Sequence, residues 1–254
     1  EKLVDAGSFH ELGMLAHSDV PGMKERTTAD GVITGHATID GRTVLIISWD
    51  PTVLAGAGGR VSGKKTHHVH DLALRMGYPV ITLSDYGGAR IPDIMGSAGL
   101  TSIVPTREGF LTARRIPQLV ALLGNCFGGA AFGAIESDFV IQLKGACMGV
   151  SSPRVTEVAL SEDISYEQLG GWELHSRITG QVDRVADDAD DVAHLVREFL
   201  SYMPANYREL PPVVPCTDPE VNARQERLLD VLPDRLNRAY DMHDVITILV
   251  DDGK

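Results

Sequence analysis

Two stretches, YPVITLSDYGGAR at residues 78–90 and QLVALLGNCFGGA at residues 118–130, share one plan, a short apolar run that ends in paired glycines. An apolar run of this length without polar alternation, closed by glycine, reads as a strand buried on both faces. Strands are therefore expected at 78–83 and 118–123, and a third at Phe139 to Leu143. Ahead of the first lies a segment from about Ser62 to Met76, in which Val69, Leu72, Ala73 and Met76 recur at helical spacing before Gly77 ends it. Strands alternating with helical segments imply βαβ units and a largely parallel α/β sheet, with glycine turns at the strand ends where ligands usually sit.

Working outward, GVITGHATIDGRTVLIIS at residues 31–48 alternates around Asp40-Gly41, a strong hairpin signal, so a β-hairpin is expected at about 32 to 48. A glycine-rich loop, Leu54 to Arg60, joins it to the helix. Towards the other end, DDADDVAHLVREFLSYM at 187–203 has acids at its start and Val192, Leu195, Val196 and Phe199 on one face, the pattern of an amphipathic helix. Proline-rich sequence from Pro204 to Pro219 reads as an extended connector, with short helices expected at Arg224 to Leu232 and His243 to Val250. The division expected is one domain over 1–254, with its core in 1–203 and the connector and terminal helices in 204–254.

The composition bounds the function. A formal charge of -12 argues against general nucleic-acid binding, although a local basic pocket remains compatible with it. No run approaches the roughly 20 apolar residues of a membrane-spanning helix, and Glu1 to Asp5 lack a signal-peptide pattern, so the expected compartment is the cytoplasm. Cys126, Cys147 and Cys216 are odd in number and show no CxxC spacing, so they read as free thiols rather than disulfides or zinc ligands.

The chemistry concentrates in the two glycine turns, Gly87-Gly88-Ala89 and Gly128-Gly129-Ala130. Glycine lets main chain approach a ligand, and amides at a helix amino terminus stabilise a developing anion without a charged side chain. Converging amides of this kind suit thioester enolate formation, while the alternative is that both are structural turns.

Seven stretches in order, LVDAGSFHEL (3–12), DGVITGHATIDGRTV (30–44), DPTVLAGAGG (50–59), DLALRMGYPVITLSDYGGARI (71–91), GNCFGGAAFGAIESDFVI (124–141), SYEQLGGWELH (165–175) and LVREFLSYMPAN (195–206), resemble the biotin-dependent acyl-CoA carboxyltransferases. The likeness is to the amino-terminal domain of their β-type subunits. It implies a crotonase-like fold, a ββα spiral superhelix, with the acyl-CoA thioester oxygen in an oxyanion hole made by the backbone of Gly88 and Ala89 and of Gly128 or Gly129. It also implies carboxybiotin, on a partner carrier protein, as the source of carbon dioxide and the acceptor of the α-proton. The partners implied are a biotin carboxylase, the biotin carrier and a carboxyl-terminal carboxyltransferase domain, in an oligomer, so the chain is expected to be inactive alone. Departures fall at Asn125 and Phe127, where the family has a proline and a small residue, and at Ser152-Pro153, where it has Gly-Pro. These put the pocket's shape in question. The substrate alternatives are carboxylation, decarboxylation of a malonyl-type thioester on the same hole, or a non-catalytic subunit that keeps the fold.

Other residues carry competing readings. Arg60, Lys64 and Lys65, at the start of the first helix, could meet CoA phosphates or form a solvated face. Arg90 could bind a phosphate or carboxylate or pair with Asp85, and Asp85 could instead brace its turn. Phe127 and Ser151 are candidate pocket walls, Trp172 is core or wall, and His175 either positions substrate or holds backbone. His67, His68 and His70 could bring two ligands to one face, but no further ligand is identifiable, so no metal is expected. The only GxSxG-like stretch, Gly96 to Leu100, lacks its closing glycine and is no nucleophile elbow.

Overall fold

The computed structural model describes residues 2–97, 99, 114–213, 226–235 and 237–250. The chain divides into two compact units, 1–212 and 213–254.

Within the first unit one mixed sheet runs in the order β1-β2-β3-β4-β5-β6-β8, with β7 beside the end of β5. The strands are β1 (His10–Leu12), β2 (Val32–Ile39), β3 (Arg42–Trp49), β4 (Val80–Tyr86), β5 (Gln118–Phe127), β6 (Phe139–Leu143), β7 (Cys147–Gly149) and β8 (Arg184–Ala186). The hairpin turns at Asp40-Gly41, with Ile39 opposite Arg42, and from β3 onward every pairing is parallel.

Parallel pairing demands crossovers, and their right-handed rule fixes where helices go. Helix α1 (Arg60–Met76) joins β3 to β4, the short α2 (Ile91–Ile94) follows β4, and α3 (Gly129–Glu136) joins β5 to β6. Helices α1 and α3 pack on one face, where Val69 and Ala73 meet Leu45 and Ile47, and Ala131 and Ala134 meet Val120 and Leu122. Alternate residues of the same strands, Val44, Ile46, Leu119 and Ala121, point to the other face and meet Val192, Leu195, Val196, Phe199 and Leu200 of a helix at Ala189–Tyr202. Strands covered on both sides need apolar side chains at every position, which explains their continuous runs. Each fully buried aliphatic here is worth about 1.5–3 kcal/mol.

Element ends differ from the sequence expectation for physical reasons. Helix α1 starts two residues earlier, at Arg60, because the Ser62 hydroxyl accepts the Gly59 N–H at 2.7 Å and supports the first turn. Strand β5 runs through Gly124 to Phe127 rather than stopping at Leu123. Gly124 is bulge backbone, not a terminator: Ser84 pairs with Leu122 but Tyr86 with Cys126, and a Cβ on Gly124 would lie 2.4 Å from the Asp85 carboxyl carbon.

After β7 come α4 (Pro153–Leu160) and α5 (Tyr166–Gly170), then a wide turn at Leu174–Ile178. Residues 204–213 carry no helix or strand, and the rest of the expected connector, with Cys216, lies outside the described residues. In the second unit the described helices are Leu228–Val231 and Met242–Leu249. Among the described residues no helix is long and apolar enough to cross a membrane.

Candidate active site

The last shared rung of β4 and β5 pairs Tyr86 with Cys126. Three residues beyond it on each chain stand Ala89 and Gly129, so both glycine turns leave the sheet at the same end of neighbouring strands.

The direction of each amide follows from its neighbours. The Gly58 N–H donates to the Gly88 carbonyl at 2.9 Å, and the Arg90 N–H donates to the Gly58 carbonyl at 2.6 Å. These bonds straddle Ala89 as an isolated parallel bridge, Gly58 opposite Ala89. A straddled residue presents its own N–H to the opposite edge. Gly58 belongs to the loop that continues the β3 side, so that edge is the one facing β5.

On β5 the two glycines differ. The Gly128 N–H donates to the Gly149 carbonyl at 3.1 Å and is committed, while the Gly128 carbonyl accepts from the Phe132 N–H at 3.2 Å, opening α3. Gly128 has φ +62, a left-handed conformation that glycine adopts without a Cβ penalty. Gly129 is therefore the first helical residue, its N–H has no acceptor within the helix, and it sits at the positive end of the helix dipole. Of the four backbone positions named from sequence, Ala89 and Gly129 are those whose N–H has no acceptor among the described residues. Gly88 contributes its carbonyl and Gly128 its turn.

The surrounding side chains hold their protons. Burial pushes the Tyr86 hydroxyl up to about 12 and the Cys126 thiol up to about 11. Neither is a base at neutral pH. Tyr86 packs edge-on against Trp49 at 4.4 Å between ring centroids, and both line a 740 Å³ cavity that Gly58 and Gly129 also border. Tyr86 was not singled out from sequence, and its place on the last rung is the signal that could have found it. Phe127 is buried, its ring 6.1 Å from that of Tyr166, and Ser151 follows the β7 residue that takes the Gly128 N–H. Trp172 is half-buried, its ring covered by Lys144 and Arg177 at 5.1 and 5.3 Å from the centroid.

Most of the charged candidates serve the fold instead. Lys65 is buried, its ammonium donating to the carbonyls of Ala29 at 2.7 Å and Val32 at 2.5 Å, and burial lowers its pKa. Residues 29–31 all have positive φ, a tight turn in which the Gly31 carbonyl accepts the Asp50 N–H while the carbonyls of Ala29 and Val32 accept from the ammonium. Arg90 is likewise internal. Its Nε and Nη2 grip Asp93 at 2.7 and 2.8 Å, Nη2 also reaches Asp30 at 2.5 Å, and Nη1 reaches the Ala57 carbonyl at 3.2 Å. Asp85 pairs with neither Arg90 nor its own turn; it accepts the Asn125 N–H at 3.1 Å and braces the β5 bulge. His175 holds backbone, with Nε2 2.9 Å from the Met148 carbonyl and Nδ1 3.0 Å from the Thr179 hydroxyl. Arg60 pairs with Asp19 at 2.8 Å, which leaves Lys64, exposed on α1 at the cavity wall, as the member of its group with no partner among the described residues.

The histidines of α1 form no metal cluster among the described residues. His70 lines the cavity, and burial, with His67 adding a smaller push in the same direction, lowers its pKa from 6.5 to about 4. The unfolded chain therefore binds a proton that the folded state refuses, so stability is full above about pH 6.5 and falls as pH drops towards 4. Urea titrations from pH 7 to 4 are expected to show that decline, and His70→Leu to flatten it. An unchanged slope in His70→Leu would assign the decline to other groups.

The sequence matches the family of the carboxyl transferase domain over residues 1–254. It is 36% identical over 254 residues to a biotin-dependent long chain acyl-coenzyme A carboxylase beta4 subunit of Mycobacterium tuberculosis, covering 99% of this chain and 48% of that protein. It is 34% identical over 258 residues to the methylmalonyl-CoA decarboxylase subunit alpha of Veillonella parvula, covering 100% of this chain and 50% of that one. Among solved structures it is similar to transcarboxylase 12S, a hexamer with methylmalonyl-coenzyme A bound, at a TM-score of 0.84 and 32% identity over 100% of this chain and 50% of that one. The chain spans about half the length of the relatives it matches.

Proposed function

The chain belongs to the carboxyl transferase domain family, with its crotonase-like fold, and from that premise we propose that it is the acyl-CoA half-site of a biotin-dependent carboxyltransferase. The observation that carries this reading is the register of Ala89 and Gly129, three residues past the rung Tyr86 to Cys126, with neither amide donating to an acceptor among the described residues.

Two N–H donors meet the thioester oxygen of acyl-CoA. As the α-carbon loses its proton, charge collects on that oxygen, and the donors, with the α3 dipole behind one of them, stabilise it more than they stabilise the neutral thioester. The enolate carbon then forms its bond to carbon dioxide. Carboxybiotin, when bound, supplies the carbon dioxide and takes the proton. The protonated state of Tyr86 and Cys126 fits this division of labour, since neither competes for the α-proton.

The partners that complete such a site are a carboxyl-terminal carboxyltransferase domain, a biotin carrier and a biotin carboxylase, in a cytoplasmic oligomer. A second reading, decarboxylation of a malonyl-type thioester over the same donors, is favoured by the likeness to the methylmalonyl-CoA decarboxylase subunit. Assaying the assembled protein in both directions separates the two.

Calorimetric titration tests the half-site itself. The chain is expected to bind acetyl- or propionyl-CoA; no binding of any acyl-CoA would leave a scaffold in place of an enzyme. Lys64→Ala is expected to weaken that binding about fivefold, the roughly 1 kcal/mol of an exposed ion pair, and the loss should shrink in high salt. Equal affinity in low salt would remove Lys64 from the site.

A further inference from the structure

We propose that Arg90 is a positioning residue for the oxyanion site, holding the Ala89 N–H on its line through a buried fork that ties three chain segments together. The inference rests on the reading of Ala89 as a donor.

Ala89 has no side chain able to hold itself in place, and the turn before it is two glycines, with Gly88 at φ +103. What fixes the plane carrying its N–H is the bond from the Gly58 N–H to the Gly88 carbonyl at 2.9 Å, and what fixes Gly58 is the residue after Ala89. The Arg90 N–H bonds Gly58 at 2.6 Å, and from the same residue the guanidinium, 4% exposed, makes a two-pronged contact with Asp93, a bond to Asp30 and a bond to the Ala57 carbonyl. Backbone and side chain of one residue thus bind both neighbours in the same glycine loop, Ala57 and Gly58. The loop that straddles Ala89 cannot shift without breaking the fork.

The far ends are anchored too. Asp30 is fully buried and its other oxygen accepts the Ser62 N–H at 2.6 Å, in the first turn of α1. Asp93 accepts the Ser18 hydroxyl at 2.5 Å. Space is as tight as the bonding, since a Cβ on Gly59 would lie 2.4 Å from Arg90 Nη2 and 2.7 Å from an Asp93 oxygen. A lysine keeps the charge but lacks the planar fork that spans two carboxylates.

The test uses the full chain with propionyl-CoA labelled with carbon-13 at the carbonyl, observed by isotope-edited infrared difference spectroscopy, together with calorimetric affinity. Wild type is expected to lower the carbonyl stretching frequency on binding, the signature of a polarised thioester. Arg90→Met is expected to lose more than half of that shift while its affinity stays within about threefold, because the buried guanidinium is spent on Asp93, Asp30 and the Ala57 carbonyl; Arg90→Lys should fall between. In the assembled enzyme the same variants should lower kcat at least about tenfold with little change in KM, the pattern of a contact felt in the transition state. Absence of any shift in wild type would defeat the oxyanion reading itself. A normal wild-type shift that persists in full in Arg90→Met would overturn only the role given to Arg90. If Arg90→Met does not fold, Ser18→Ala, which removes just the hydroxyl orienting Asp93, is read in the same way: a reduced shift at unchanged affinity supports the proposal, and an undiminished one overturns it.

Discussion

If the proposed function holds, replacing Ala89 by proline in the assembled enzyme is expected to lower kcat by about 10²–10³ while KM for acyl-CoA changes by no more than about threefold. Proline deletes the N–H and leaves the carbonyl and the flanking bonds of Gly58 to Gly88 and Arg90 in place. The magnitude is that of removing one donor from an oxyanion hole, about 2.7–4 kcal/mol of transition-state stabilisation. Direction matters as much as size. The neutral thioester accepts a weak bond and the enolate a charge-assisted one, so the lost interaction belongs to the transition state and falls on kcat. Ala89→Gly is the control, keeping the N–H and expected to stay within a few-fold of wild type. Comparable losses in Ala89→Gly and Ala89→Pro would locate the effect in the loop's mobility rather than in the missing donor.

The sequence made the scaffold of this site legible because the signals were local. Asp40-Gly41 is a hairpin turn wherever it sits between alternating strands, and the apolar runs at 78–83 and 118–123 had to be buried on both faces. The three-residue strands β1, β7 and β8 carry no period long enough to read, yet β7 supplies the carbonyl that commits Gly128 and thereby singles out Gly129. Charged residues were harder still. Lys65 and Arg90 stand beside a glycine loop, the place where a phosphate-binding cation would also stand, and nothing local distinguishes the two uses. Their partners near residue 30, the carbonyls of 29 and 32 and the carboxylate of 30, are placed by positive φ at Ala29 and Asp30, and backbone of that kind is set by tertiary packing. Ser62 had a local mark in retrospect, a hydroxyl three residues into the helix and able to reach back to Gly59.

The second large effect is expected far from the thioester, at Gly170. Its carbonyl accepts from the buried Gln142 amide at 3.0 Å, and α5, which it ends, lies against β7. A Cβ there would stand 2.0 Å from the Met148 carbonyl oxygen and 3.0 Å from the Cys147 sulfur. Backbone cannot rotate away as a flexible side chain would, so Gly170→Ala must push the helix off the strand or break the contact of His175 with that same carbonyl. Overpacking at this depth costs about 3 kcal/mol or more. The damage has a route to the site, because β7 pairs with the last residues of β5 and Gly149 holds the Gly128 N–H. Urea denaturation should therefore show a stability loss of about that size, and propionyl-CoA carbonyl polarisation should fall in the fraction that remains folded. His175→Ala provides the contrast, since it unhooks Met148 without crowding it and should cost only the ~1–3 kcal/mol of an unpaired buried carbonyl. If Gly170→Ala proves as stable as wild type, the helix has room to move, and the link from α5 through β7 to Gly129 is too soft to position a donor.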